Sequence, residues 1–308
     1  MLTHIPVLYQ EILNMLNPQP GGRYVDGTLG AGGHAAGLLE ASAPDGCLLG
    51  LDVDPAAIEL VRKRLEPFAE RAFLRQASYT TLPEQLQDLG WRQVDGILLD
   101  FGVSSMQLDA AERGFSFQAD APLDMRFDPG QELSAADLVN ELPEAELADL
   151  IYRYGEERQS RQIARAIVRS RPLETTWQLA GVVAQAAGRQ RSGQRIHPAT
   201  RTFQALRIQV NRELEAVETV LPLAAAALAP GGRLAVIAFH SLEDRLVKEF
   251  IRRESRDCLC PPRQPVCTCG HRASLVDVTH RPLQATAEEI ARNPRSRSAR
   301  LRVAEKKS

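Results

Sequence analysis

Long hydrophobic runs are absent. No stretch of about eighteen consecutive apolar residues occurs in the 308-residue chain, which excludes a helical membrane span. The start, Met1-Leu2-Thr3-His4-Ile5-Pro6, has neither a basic n-region nor an apolar h-region. A secretory signal is therefore not expected, and the cytoplasm is the expected location. An excess of one charge is absent too: 37 Lys and Arg against 39 Asp and Glu leave a formal net charge of −2. Cysteine is scarce, with five residues, and in a cytoplasmic chain disulfides are not expected. Cys47 lies in an apolar run and reads as a small core residue. What is present is ordinary for a globular protein: 44% hydrophobic and 25% charged residues, in a length that suits one large domain or two smaller ones.

The near-neutral total conceals an asymmetry. Residues 105–150 hold 11 acidic and 2 basic residues, and residues 153–207 hold 11 Arg and 3 Glu. Residues 281–308 add 8 Lys or Arg against 3 Glu. Two basic segments can bind a polyanion locally, or they can be solvated helix faces; charge alone leaves both open.

Strands and helices alternate early. The pattern predicts strands at Arg23–Thr28, Cys47–Asp52, Phe73–Arg75 and Val94–Asp100, with helices at Gly33–Ala41, from Pro55 onward, and at Leu82–Leu89. A helix from about Tyr9, after a short lead-in, is expected to cap the sheet. The alternation then stops. Phe101–Arg126 reads as loop, and a helical stretch begins at Ser134. Within it Arg158, Arg161, Arg165 and Arg169 form a stripe opposite Ile163 and Ile167. After a helix at Thr176–Ala187 and a basic loop at Gly188–His197, one long helix is expected from Thr200 to Leu228, closed by Pro230-Gly231-Gly232. A fifth strand at Arg233–Phe239, a helix at Leu242–Arg253 and two closing strands, Leu275–Val278 and Ser298–Val303, complete the pattern. The expected architecture is a parallel α/β sheet, residues 1–104 and 200–308, interrupted by a mostly helical insertion at 105–199.

The stretch Asp26-Gly27-Thr28-Leu29-Gly30-Ala31-Gly32-Gly33-His34 reads as a strand entering a glycine turn that opens a helix. Asp52 ends the next strand about twenty residues on, the distance at which an acid accepts from ribose hydroxyls. Gly30-Ala31-Gly32 followed by Ala35 nearly meets a dinucleotide fingerprint, but a second phosphate-reading turn is missing. Asp26, two residues before the turn, fits a sulfonium nucleoside better: the stretch resembles motif I of S-adenosylmethionine methyltransferases, with Thr28 where glycine usually stands. Tight packing without ligand also explains the glycines. The fourth strand ends in Asp100-Phe101-Gly102, where Asp100 can accept from an amine, although the two prolines common there in amino-group methyltransferases are lacking.

These stretches, together with Glu112-Arg113-Gly114-Phe115-Ser116-Phe117, Pro122-Leu123-Asp124-Met125-Arg126, Tyr154-Gly155-Glu156-Glu157-Arg158, His197–Ile208, Phe239–Arg245 and Asn293–Ser298, give a nearly full-length resemblance. The chain resembles the bacterial rRNA small subunit methyltransferase H family (RsmH/MraW). The resemblance implies a Rossmann-like class I methyltransferase fold. It implies methyl transfer from S-adenosylmethionine, leaving S-adenosylhomocysteine, to the N4 nitrogen of one cytidine in the decoding region of small-subunit (16S) rRNA. It places cofactor contacts on Gly32, Gly33, His34, Asp52, Tyr79, Asp100 and Gln107. The implied partner is rRNA, within the ribosomal subunit or free, and a homodimer stays among the open alternatives.

Asp100 is the candidate to assist the amine, with Ser104, Ser105 and His240 behind it; His240 also reads as a helix cap. Phe115 and Phe117 could stack on the target base or anchor the insertion. Arg195, His197, Arg201 and Arg207, with the Arg stripe, form the proposed phosphate-contacting face. Cys258-x-Cys260-x6-Cys267-x-Cys269, followed by His271, reads either as a four-thiolate zinc knuckle or as a metal-free loop. The resemblance does not imply an essential metal, and no metal is the expectation here. Rival functions are an NAD-dependent oxidoreductase, a non-catalytic RNA-binding assembly factor, and a methyltransferase acting on DNA or protein.

Overall fold

The computed structural model of the chain describes residues 6–188, 197–261, 264 and 266–308. In chain order the elements are α1 (Tyr9–Leu16), β1 (Arg23–Asp26), α2 (Gly33–Ala41), β2 (Cys47–Asp52), α3 (Pro55–Arg64), β3 (Ala72–Gln76), α4 (Leu82–Asp88) and β4 (Val94–Asp100). Six helices follow: α5 (Ser105–Asp109), α6 (Ala135–Glu141), α7 (Glu144–Gly155), α8 (Ser160–Arg169), α9 (Thr176–Ala187) and α10 (Ala199–Asn211). The chain then forms α11 (Glu213–Ala227), β5 (Leu228–Ala238), α12 (Ser241–Glu254), β6 (Leu275–Asp277), α13 (Ala287–Arg292) and β7 (Arg300–Lys306).

Two units emerge, Met1–Gly102 with Leu214–Ser308, and Val103–Glu213. In the first, the described strands form a seven-stranded sheet in the order β3-β2-β1-β4-β5-β7-β6. The first five are parallel, and β7 runs antiparallel to both of its neighbours. Ile97, Leu98 and Leu99 of β4 are buried in sequence, as a strand covered on both faces requires. This is the largely parallel α/β sheet that the alternation predicted, in the Rossmann-like form that the family resemblance implied. Strand order reverses between β1 and β4, so their carboxyl ends flank the switch point where open α/β sheets bind ligands. The lead-in helix α1 buries Ile12 and Leu16 with Leu38, Leu98 and Ala235, as expected of a cap on the sheet. No described helix is long and apolar enough to cross a membrane.

The second unit closes its own core around Leu138, Leu147, Ile151, Ile163, Ile167, Leu179 and Val183. Helix α10 contributes Phe203, Leu206 and Val210 to that core. This shifts the expected boundaries: the insertion runs from Val103 to Glu213 rather than 105–199. The single helix expected at 200–228 is two helices, because Arg212 adopts a left-handed conformation (φ 49°) between α10 and α11. Strand β5 also starts before Pro230-Gly231-Gly232, with a register shift against β4 accommodating the glycines. Cys47 is half-buried rather than a core residue.

Candidate methyl-donor site at the strand ends

The glycine turn is built by contacts inside the sheet unit. Gly30 and Gly32 have positive φ values (49° and 72°), where a side chain is strained. A Cβ on Gly32 would sit 2.9 Å from a Val61 methyl, and one on Gly33 would sit 2.3 Å from Cγ of Pro6. Close packing therefore accounts for these two glycines by itself. Arg64 of α3 donates to the Ala31 carbonyl (3.0 Å) and pins the turn from outside, a support that the sequence did not single out.

The turn's amides are directed at acids. The Gly30 N–H donates to Asp52 Oδ2 (2.9 Å) and the Asp54 N–H to Asp52 Oδ1 (2.9 Å). A carboxylate offers about four acceptor positions. Asp52 thus holds the turn and keeps acceptor capacity for hydroxyls. Asp26 accepts from the Thr28 N–H (3.1 Å), and the Thr28 hydroxyl oxygen accepts from the Asp100 N–H (2.6 Å). Thr28, the departure from the glycine pattern, is therefore the tie between the ends of β1 and β4.

Three carboxyls gather at these ends, their proton affinity raised above the usual carboxylate range. Burial pushes Asp26 up to about 7, with the charge of Asp52 adding and the Thr28 amide opposing. Burial pushes Asp52 up to about 6, opposed by the Asp54 and Gly30 amides. Asp100 is raised well above the usual carboxylate range, first by burial, then by Asp26 and Glu243. No Lys or Arg figures among the described groups that set these values. Oδ1 of Asp100 is buried and has no hydrogen-bond partner among the described residues. Such a site repels a pyrophosphate and fits a ligand that brings positive charge and hydrogen-bond donors. A sulfonium nucleoside with an amino acid tail has both, so the donor set fits S-adenosylmethionine and opposes a dinucleotide.

The other expected contacts fall as follows. His34 is buried in the first turn of α2, with Nε2 3.8 Å from Asp100 Oδ2 and its ring stacked on Tyr9 at 6.1 Å. Tyr79 follows β3; its ring lies 5.8 Å from that of Phe101, and its Cβ comes close to Gly27. Gln107 belongs to the second unit, where its side-chain oxygen accepts from the Ser104 N–H (3.0 Å) while its own N–H donates to Ser104 Oγ (3.2 Å). Ser104 is accordingly a helix cap. His240 caps α12: its Nδ1 accepts from the Glu243 N–H (3.4 Å), and its Nε2 lies 3.1 Å from the Glu243 carboxylate. Glu243, fully buried near the end of β5, is a fourth acid that sequence reasoning missed.

Within the second unit the aromatic and basic candidates separate. Phe115 is buried and stacks on Phe127 (5.5 Å), while Phe117 packs on His197 (4.7 Å) and Phe203 (5.0 Å), so both anchor the unit's own interior. Arg161, Arg165 and Arg169 are exposed on α8, opposite the buried Ile163 and Ile167, as the stripe predicted. Arg158 stands in the turn before that helix. Arg201 is exposed and pairs with Glu157 (3.3 Å). Arg207 is not available to phosphate: its guanidinium forks onto Glu213 at 2.8 and 2.9 Å, and both side chains are largely buried. Arg195 lies outside the described residues.

The family model described as the MraW methylase family matches residues 1–307. The chain is similar to a protein of Thermomicrobium roseum named ribosomal RNA small subunit methyltransferase H, 55% identical over 307 residues, covering 99% of this chain and 94% of that protein. Proteins of the same name from Dehalococcoides mccartyi and Geotalea uraniireducens are 54% and 53% identical, each over 98% of this chain and over 86% and 98% of their own lengths. The chain belongs to the MraW methylase family.

Proposed function

We propose that this chain transfers a methyl group from S-adenosylmethionine to the N4 amino nitrogen of one cytidine in the decoding region of small-subunit rRNA. The observation that carries the reading is the cluster of buried carboxyls Asp26, Asp52 and Asp100 at the switch point, with a buried oxygen on Asp100 that has no hydrogen-bond partner among the described residues. The relatives' shared name supplies the class of RNA.

In this reading Asp52 accepts from the ribose hydroxyls and Asp26 faces the methionine portion. The turn at Gly32, Gly33 and His34 shapes the wall between them, and the Tyr79 ring flanks the adenine. Bound there, S-adenosylmethionine supplies a methyl carbon already activated by sulfonium. The cytosine amine is a poor nucleophile because its lone pair is spread into the ring. Asp100 Oδ1 accepts one N–H of that amine, which localises the lone pair and offsets the positive charge that develops on nitrogen. The raised affinity of Asp100 for protons also equips it to take the proton the amine loses. Thr28 holds the Asp100 backbone, so the acceptor is fixed before substrate arrives. The base must be reached outside a stack, in a loop or flipped out. The exposed Arg face of α8 offers the phosphate contacts such a strand requires.

The test is transfer of labelled methyl from S-adenosylmethionine to small-subunit RNA, supplied free and within the 30S particle, with the modified base mapped by mass. Label on a single cytidine N4 is the expected result. Label on DNA or protein alone moves the substrate, and RNA binding without transfer leaves an assembly factor.

A further inference from the structure

The four cysteines between α12 and β6 lie apart from the strand-end site and have no part in it. Their sulfurs converge: Cys258 and Cys267 are 3.4 Å apart, Cys267 and Cys269 3.6 Å, and Cys258 and Cys269 3.9 Å, with Cys260 completing a set whose members all lie within 4.8 Å of one another. Four thiolates at about 2.3 Å from a tetrahedral zinc ion stand about 3.8 Å from each other. A disulfide would instead need one pair near 2.05 Å, and would leave no reason for the other two sulfurs to join it. We infer that Cys258, Cys260, Cys267 and Cys269 form a structural four-thiolate site for one zinc ion, against the metal-free expectation from sequence.

Three further features support this. Backbone amides point at the sulfurs: the Leu259 N–H donates to Cys269 Sγ (3.3 Å) and the Thr268 N–H to Cys260 Sγ (3.4 Å). Such outer-shell donors stabilise thiolate ligands. His271 is engaged elsewhere, its Nε2 lying 3.1 Å from the Arg253 carbonyl, so four sulfurs are the complete donor set. The loop also has no apolar support: no described residue from 252 to 274 is buried, and Leu259 and Val266 point into solvent. A segment this small and this exposed needs a crosslink to hold one shape. Its base is already fixed, because Ser274 N–H donates to the Glu254 carbonyl (2.8 Å) and Ala273 N–H to Asp257 Oδ1 (3.1 Å). Loading the site converts four thiols to thiolates and releases up to four protons to the solvent, so binding weakens as pH falls.

The test uses the full chain purified under reducing conditions without chelator. Metal analysis is expected to return one zinc per chain. Exchange with cobalt(II) is expected to give thiolate-to-metal charge transfer and the visible bands of a tetrahedral ion. C260S and C269S should each weaken metal binding by more than the roughly 10- to 100-fold cost of losing an outer-shell partner, while C47S leaves it unchanged. Should the serine variants fail to fold, the cobalt spectrum of the unmutated chain still decides. A chain that stays metal-free after incubation with zinc, with its thiols reduced, overturns the inference. So does one that carries iron in place of zinc, or one whose mass shows the cysteines paired as disulfides.

Discussion

The two units treat charge in opposite ways. The sheet unit collects acids at the ends of β1, β2 and β4, buries them, and sets no Lys or Arg among the described groups that fix their proton affinity. The second unit puts Arg161, Arg165 and Arg169 in water, where Arg165 pairs with the exposed Glu144. Buried charge acts strongly on whatever enters next to it, whereas exposed charge is screened and acts by number. The first arrangement suits one small cationic ligand, and the second suits a polyanion gripped at many weak points. A variant should therefore betray its unit by what it changes.

The largest effect is expected at Asp100. Asp100→Asn should lower single-turnover methyl transfer by about 10²- to 10³-fold, the size seen for one preorganised electrostatic partner. Its melting temperature should hold or rise, because a costly buried charge is gone. Unchanged turnover would take Asp100 out of the chemistry. Next comes Asp52→Ala, which removes the acceptor for Gly30 and Asp54 as well as for the ligand. Calorimetry should show cofactor affinity reduced about 10- to 100-fold and stability lower by about 1–3 kcal/mol.

In the second unit, replacing Arg161, Arg165 and Arg169 together by Gln should leave cofactor affinity alone. The slope of log affinity for single-stranded RNA against log salt should shrink by about 2, at about 0.7 per contact. An unchanged slope would make the stripe a solvated face and collapse the contrast. Arg207→Gln should do the reverse, costing on the order of 3 kcal/mol of stability through the stranded Glu213 while sparing the slope.

The last contrast is read against pH. Asp26 holds its proton more tightly folded than unfolded, so its contribution to stability is complete below about pH 4 and is lost as pH rises through about 7. The unfolding free energy of the cofactor-free parent minus that of Asp26→Asn should accordingly fall between pH 4 and 7 and level off above. A difference that rises over that interval would mean the acid is compensated after all.

Legibility in the sequence followed the physics of each region. Strands β2 and β4 and helix α2 matched their expected bounds, because unbroken apolar runs and a glycine turn are local signals. The acids at the strand ends were legible for the same reason. Thr28 was not: it looked like a defect in a glycine motif, and its partner, the Asp100 amide, is 72 residues away. The break at Arg212 has no glycine or proline to announce it. Once that break is made, Arg207 and Glu213 can meet across it, which turns an apparent phosphate contact into an internal pair. Phe115 and Phe117 carried two readings until the second unit's core showed them packed inside it.

The order of the strands has a consequence for self-association. The sheet's outermost strands are β3 and β6. One has three residues, and the other ends in the exposed Arg75 and Gln76. Neither offers the long, flat, apolar margin on which another chain could continue the backbone ladder. Copies of this protein that meet in a crowded solution are thus discouraged from zipping edge to edge.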